Sequence, residues 1–317
     1  MHSRPNARHF STGTITLRQL TAMFCLCAGA CFISAERAES ATGLQFLKIG
    51  AGARAMALGN AVVSNVDDPS ATYWNPGALA LISGTRAELA HSESFQSVRY
   101  EFASLTRNFG RHAAGGAFHG IWTDRLNGFD EAGEATGDFG YAGLILNGSY
   151  GFLVADGIGI GVGVEYVREQ IDIDDATVLA FNFGLQAREI LPRTSFGLTL
   201  LHAGSSGAKY NVEEFDLPVT VQAGLTHAVP LQAMNGRLLV SAEFRSVQDG
   251  DSQFLVGTEY RYQDITSLQV GYQTEHDTQD VSFGFSVGRD RVLGQYAFAP
   301  FGENLGDQHR FSIQLHW

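Results

Sequence analysis

The sequence offers few residues whose types and spacing would support catalysis. Residues 204–207 (GSSG) are too short for the serine turn of a hydrolase, so we interpret them as a loop. The glycines of residues 157–163 recur at every second position, which does not match a dinucleotide-binding loop. The sequence therefore predicts no enzyme, no catalytic residue and no cofactor. A membrane-bound barrel hydrolase with a serine and a histidine on its strands is kept as a remote alternative.

Histidine and acidic side chains are the remaining candidates for metal binding. Two acidic runs, residues 172–175 (DIDD) and 213–216 (EEFD), lack the ligand spacing of a calcium loop. Eight histidines beyond residue 40 have none of the paired spacing of a helix-borne zinc site: His91, His112, His119, His202, His227, His276, His309 and His316. We interpret the acidic runs as solvated loop charge, and we predict no metal site.

The segment Phe46–Leu81 holds the more specific signal. Arg54, Asp67 and Asp68 are charges in a stretch made mostly of Ala, Gly, Val and Leu, and residues 74–77 (WNPG) end it with a turn-forming sequence. Charges in such a stretch need partners if they are buried. We predict that residues 41–85, called the hatch below, form a compact plug. The alternative is an exposed turn ahead of the first strand.

Composition limits where the chain acts. The net charge is −12 and only two lysines are present, so the surface would repel nucleic-acid phosphates. Residues 1–40 combine arginines with the short apolar run 20–35, which predicts a signal peptide cleaved between about residues 35 and 41. A lipoprotein signal acting at Cys31 is the alternative. All three cysteines lie in this segment, so its removal would leave no thiol.

From Arg86 onward, apolar side chains alternate with small or polar ones. In residues 157–166 (GIGIGVGVEY) Ile and Val occupy one face, while glycines and Glu165 occupy the other. About 14 such strands can be counted, and long polar connectors alternate with tight turns. We predict an all-β fold, a transmembrane antiparallel β-barrel over residues 86–317 with a polar lumen. The lumen-facing candidates are Glu165, Glu243, Arg245, Glu259 and Arg261.

The last strand predicts how the barrel is built. Phe311, Ile313 and Leu315 alternate back from a terminal aromatic, Trp317. This pattern places one face against lipid and resembles the signal that the barrel-assembly machinery recognises. The expected location is the outer membrane of a Gram-negative-type bacterium, with outer-membrane lipid and that machinery as partners.

The hatch also resembles a known family. It is similar to the N-terminal signature of the PorV/PorQ family, whose barrels are related to the FadL transporters. The matching positions are Gly50, Gly52, Ala53, Arg54, Ala55, Leu58, Gly59, Asp67, Asp68, Tyr73, Trp74, Asn75, Pro76 and Leu79. Residues 296–302 and 305–312 resemble the family's ending. Asn-Pro-Gly-Ala replaces the family's Asn-Pro-Ala-Gly, and Asn60 stands where a small residue is common.

The resemblance implies two functions. One is an accessory role in type IX-like protein secretion or surface attachment, with secretion components or exported proteins as partners. The alternative is a FadL-like passive channel for hydrophobic or small solutes, gated by the hatch. Because the predicted lumen residues are polar and charged, the sequence favours the accessory role.

Overall fold

The computed structural model describes residues 43–317 except 95–97, 130–131, 205–207, 211–212, 249, 275–279, 290 and 303–305. The predicted signal peptide, its cleavage region and the three cysteines lie outside the described residues. His276 and residues 205–207 of the GSSG loop do as well.

Fourteen strands close into an antiparallel barrel, so the predicted fold and strand number are confirmed. The first barrel strand pairs with the last, from Arg86 opposite His316 to Glu93 opposite His309, which closes the barrel. The barrel strands are β1 (Thr85–Glu93), β2 (Arg99–Asn108), β3 (His112–Trp122), β6 (Tyr141–Ala155), β7 (Ile158–Ile171), β8 (Asp174–Leu191), β9 (Thr194–Gly204), β12 (Thr220–Leu231), β13 (Gly236–Val247), β14 (Gln253–Tyr262), β15 (Thr266–Gln273), β16 (Val281–Arg289), β17 (Val292–Pro300) and β18 (Asp307–His316).

The alternation of side chains explains why these strands form a barrel. Val, Ile and aromatic side chains fit the pleated strand and point outward, as Leu268, Phe283 and Ile313 do at 63%, 45% and 53% exposure. Ser, Gln, Glu and Gly point inward and are buried. An apolar outer face around a polar interior is the pattern of a barrel in lipid, because a protein in water would bury the apolar face instead.

The two ends of the barrel differ. At one end, called the turn end, connections are short, such as residues 156–157 and 192–193, and β1 begins there while β18 ends there. At the other, called the loop end, two small hairpins extend two of the connections: β4 (Leu126–Phe129) with β5 (Ala135–Phe139), and β10 (Ala208–Tyr210) with β11 (Glu213–Phe215). The sequence predicts long polar connectors here, and the structure adds that they contain short hairpins, which lie apart from the barrel sheet.

The described part of the hatch, residues 43–84, lies inside the barrel. Its helical turns are Gln45–Lys48, Ala53–Ala57, Ala71–Trp74 and Pro76–Leu81. Their small side chains pack with the barrel wall. The larger side chains of Leu47, Trp74 and Leu79 are buried as well, at most 2% exposed. The apolar core therefore sits between hatch and wall.

Within the described residues, no helix is both long enough and apolar enough to cross a membrane.

Candidate functional site: the hatch and its seat in the barrel

Glycines of the barrel wall form the seat on one side. Gly159 and Gly161 on β7 and Gly184 on β8 face the hatch turn at Pro76-Gly77. A Cβ atom on Gly161 would lie 2.3 Å from the carbonyl carbon and oxygen of Pro76. Only glycine permits two backbones to approach this closely. Two of the alternating glycines, Gly159 and Gly161, therefore lie directly against the hatch backbone, whereas Gly163 faces side chains of the wall.

Asn75 connects the hatch to the wall. Its Oδ1 accepts a hydrogen bond of 3.0 Å from the Gly77 amide and caps the helical turn that Pro76 begins. Its Nδ2 donates to the carbonyl oxygens of Val63 at 2.9 Å and of Leu185 at 3.1 Å. Because Asn75 is fully buried, all of these groups depend on one another for partners.

Replacing Asn75 with Asp tests this connection. Aspartate keeps the shape and the acceptor for Gly77, but it places an oxygen against the carbonyls of Val63 and Leu185. We expect the hatch to lose about 1–3 kcal/mol of stability, measured by hydrogen exchange of hatch amides in detergent. Asn75→Ala is the comparison variant: it also removes the acceptor for the Gly77 amide, so it should lose protection as well. Equal protection of the hatch amides from hydrogen exchange in Asn75→Asp and wild type would contradict the role of Asn75 in connecting hatch and wall.

A second attachment is a network of ion pairs at Arg54. Its guanidinium donates to Glu259 Oε2 from Nε at 3.1 Å and from Nη2 at 2.8 Å. Arg261 reaches the same Glu259 oxygen at 2.9 Å and Asp67 at 2.8 Å. Asp67 and Asp68 also lie 3.6 and 3.8 Å from Arg54 Nη1. The predicted hatch charges thus meet two of the predicted lumen charges on β14.

The network fixes the charge of Asp67. Burial alone would raise the pKa of this carboxyl, but Arg261 and Arg54 hold the pKa well below its ordinary value. Burial raises the pKa of Asp68, against the attraction of Arg54. Because the pKa of Asp67 is lowered on folding, its contribution to stability is complete above about pH 5 and is lost only as the pH falls further.

Glu243 and Arg245, the lumen candidates on β13, also contact or approach the hatch. Glu243 accepts hydrogen bonds from the amides of Val63 at 3.1 Å and Ser64 at 3.0 Å. The guanidinium of Arg245 lies 5.8 Å from the centre of a Trp74 ring.

Gly59 adopts a left-handed φ of 60° where it passes the backbone of Gly271 and Tyr272 on β15. A side chain at Gly59 would meet that backbone.

Sequence analysis missed a buried cluster around Glu165. The carboxylate of Glu165 lies 2.8 Å from His202 Nδ1 and accepts from Asn182 Nδ2 at 2.9 Å. His119 bonds Tyr100 at 2.9 Å, and Tyr73 of the hatch lies near the rings of His119 and His202. Strand parity could have placed Glu165, His119 and Asn182 inward. It would have placed His202 outward, because the inward positions of β9 are residues 197, 199 and 201. Their convergence depends on a register shift between β8 and β9, which no local pattern indicates.

The predicted assembly signal lies on β18 and just beyond it, and its side chains are exposed: Phe311 at 54%, Ile313 at 53%, Leu315 at 40% and Trp317 at 60%. The first three lie on the apolar outer face of the barrel. Their role in assembly stays a prediction.

Two cavities lie on opposite sides of the helix Ala53–Ala57. The turn-end cavity has a volume of about 160 Å³, and Arg54, Arg86 and Gln314 are among its lining residues. The loop-end cavity has a volume of about 290 Å³, and Met56, Ser92 and Arg310 are among its lining residues. The helix Ala53–Ala57 therefore contributes lining residues to both cavities.

Among the described residues, no group of three or more His, Cys, Asp or Glu side chains is placed to hold a metal ion. Arg54 is paired with Glu259, and Glu243 accepts hydrogen bonds from hatch backbone.

No protein-family model and no curated protein matches the sequence. Solved structures do. A monoaromatic hydrocarbon channel, CymD, aligns with a TM-score of 0.65 and 13% identity over 87% of this chain and 99% of that one. The P. putida toluene transporter TodX aligns with a TM-score of 0.61 and 13% identity over 84% of this chain and 99% of that one. A Pseudomonas aeruginosa FadL homologue aligns with a TM-score of 0.56 and 12% identity over 83% of this chain and 97% of that one. The resemblance to the PorV/PorQ family stays a prediction, and what these alignments establish is that the chain has the fold of the FadL-like outer-membrane barrels.

Proposed function

We propose that the protein is a passive channel of the outer membrane for small solutes, gated by its hatch. The observation that carries the proposal is the pair of cavities, one reached from each end of the barrel and separated by the helix Ala53–Ala57. A barrel built only as an anchor would have no need of a cavity on both sides of its plug. The FadL-like fold, shared with proteins described as hydrocarbon channels, supports the same function.

The loop-end cavity indicates the size and character of the solute. Ile49, Met56 and Ile121 give it apolar walls, and Lys48 and Arg310 add cationic groups. Its volume of about 290 Å³ is at the lower limit of ordinary ligand pockets. A compact molecule with an apolar part and a polar group suits it, whereas an extended acyl chain would not fit inside it.

Osmotic swelling of proteoliposomes in xylose and in phenyl xyloside tests the proposal. We expect wild type to admit both solutes, and deletion of residues 50–79 to speed swelling because the hatch is gone. Met56→Trp should slow swelling severalfold, since the indole occupies the loop-end cavity. Leu89→Trp is the matched control, because Leu89 points outward at 61% exposure. Swelling only after the deletion would contradict a channel in the native protein.

The secretion accessory implied by the PorV/PorQ resemblance is the second candidate. The tight seating of the hatch on glycines and buried ion pairs favours it, because a sealed barrel suits a docking role. Deleting the gene and comparing the export of surface proteins with the uptake of phenyl xyloside separates the two. Loss of export with unchanged uptake would support the accessory role.

A further inference from the structure

The hatch is held differently on its two sides. Toward β7, β8 and β9 it lies backbone to backbone on glycines and is bonded through Asn75. Toward β17 the buried apolar neighbours of its helix Ala53–Ala57 are small side chains, Ala297 and Ala299. Contacts between alanines bury little apolar area, so these contacts cost less free energy to separate, while Arg54 of the same helix stays paired with Glu259 on β14.

Residues of β1 and β18 line both cavities. From the turn end to the loop end, three facing pairs point inward: Glu88 with Gln314, Ala90 with Ser312, and Ser92 with Arg310. Gln314 lines the turn-end cavity, while Ser92 and Arg310 line the loop-end cavity. Successive pairs are about 7 Å apart along the strand. A single pair, Ala90 with Ser312, therefore separates the two cavities on this wall.

One hydrogen bond holds the hatch at that pair. The Ala53 amide donates to Ser312 Oγ at 2.8 Å. On the loop-end side of this contact, Arg310 donates to the carbonyl oxygens of Gly50 and Gly52. These are bonds to hatch backbone, and they would be exchanged for bonds to solute or water if the segment moved away from β18.

Glu88 lies beside this contact with an unused acceptor. Its side chain is 1% exposed, and its Oε2 has no hydrogen-bond partner among the described residues. A Cβ atom on Gly52 would lie 2.9 Å from its Oε1, so the carboxyl group faces the hatch backbone directly. A buried carboxyl oxygen without a partner costs free energy, which a purely structural site would avoid.

We infer that solutes pass the hatch between residues 50–57 and the β18–β1 wall, and that Glu88 is the specificity-determining residue there. Glu88 becomes exposed to the path when the hatch segment lifts, and contact with water then favours the ionised form of its carboxyl group. It favours cations and also neutral solutes that donate hydrogen bonds, and it disfavours anions. The inference rests on the proposed channel function.

Thiol labelling tests the route. We expect Ser312→Cys, in a background with Cys25, Cys27 and Cys31 replaced by serine, to react with a cationic methanethiosulfonate faster than with an anionic one. Thr226→Cys is the matched control: Thr226 is equally buried in the lumen but touches Ser64 on the far side of the hatch. It should stay unlabelled. Labelling of Thr226→Cys without Ser312→Cys, or of neither while proteoliposomes swell, would overturn the route.

Bilayer recordings under a KCl gradient test the selectivity. Glu88→Gln keeps the shape and should lower the ratio of K⁺ to Cl⁻ permeability about threefold, the size expected for one charge at a partly hydrated constriction. Glu93→Gln, an outward residue of the same strand, should leave the ratio unchanged. An unchanged ratio in a conducting Glu88→Gln variant overturns the role of Glu88 alone. Absence of both conductance and swelling in wild type overturns the channel function and this inference with it.

Discussion

Replacing Arg54 with Met should release the hatch from β14. The change removes the cation that Glu259 contacts twice, while Glu259 itself is 2% exposed and keeps only Arg261 and Gln269. Removing one partner of a buried ion pair typically costs about 3–5 kcal/mol, because the other charge stays buried. If most of this cost falls on hatch docking, the undocked population rises by about a hundredfold or more.

Trp74 reports on that release. It is 2% exposed and its Nε1 donates to the carbonyl oxygen of Ala51 at 2.8 Å, both within the hatch. In a Trp122→Phe, Trp317→Phe background, acrylamide should quench Trp74 fluorescence more strongly in Arg54→Met than in the parent. Proteoliposome swelling should rise in the same variant, because the partition between the cavities is loosened.

Two controls separate ion pairing from general damage. Arg237→Met removes a surface pair with Asp264, whose side chains are 46% and 69% exposed, and it should change neither readout. The double variant Arg54→Met with Glu259→Gln removes the stranded charge and should regain part of the lost docking. If acrylamide quenches Trp74 fluorescence equally in Arg54→Met and in its parent, the ion network does not hold the hatch.

The barrel could be predicted from the sequence because its signal is local and repeated. In each strand the alternation of apolar and polar residues shows which face points outward and which points inward. The pattern recurs in every strand, because the outer face of each one contacts lipid. The inward position of Glu243 or Glu259 follows from parity alone. Arg54 and Asp67 stood out because a charge in an alanine-rich segment must find a partner if it is buried.

What sequence reasoning could not supply is the register between distant segments. Glu259 and Arg54 are 205 residues apart, and their contact depends on how far the hatch enters the lumen. The glycines of β7 illustrate the same limit. Their spacing was visible, but their function appears only when Pro76-Gly77 lies against them. Cavities have no sequence pattern of their own, since residues from opposite ends of the chain form them.

Replacing Gly161 with Val should prevent the Pro76-Gly77 turn from seating. The added Cβ would lie 2.3 Å from the Pro76 carbonyl group and 2.6 Å from the Gly77 nitrogen, and neither is a side chain that can rotate away. Overpacking of this kind costs about 1–3 kcal/mol for an added methyl or methylene, and valine adds more than one carbon. The turn must move, and the bond from Asn75 to Leu185 should break with it.

We expect stronger Trp74 quenching and faster swelling in Gly161→Val, while the barrel itself keeps its resistance to heat in detergent. Valine suits a strand better than glycine does, so the ladders of β7 with β6 and β8 are not weakened. Gly148→Val is the matched control, since Gly148 faces outward on β6 and a Cβ there meets no atom within 4 Å. Equal quenching in Gly161→Val and Gly148→Val would mean that the glycine face does not seat the hatch. Unfolding of the Gly161→Val barrel would instead assign these glycines to the wall itself.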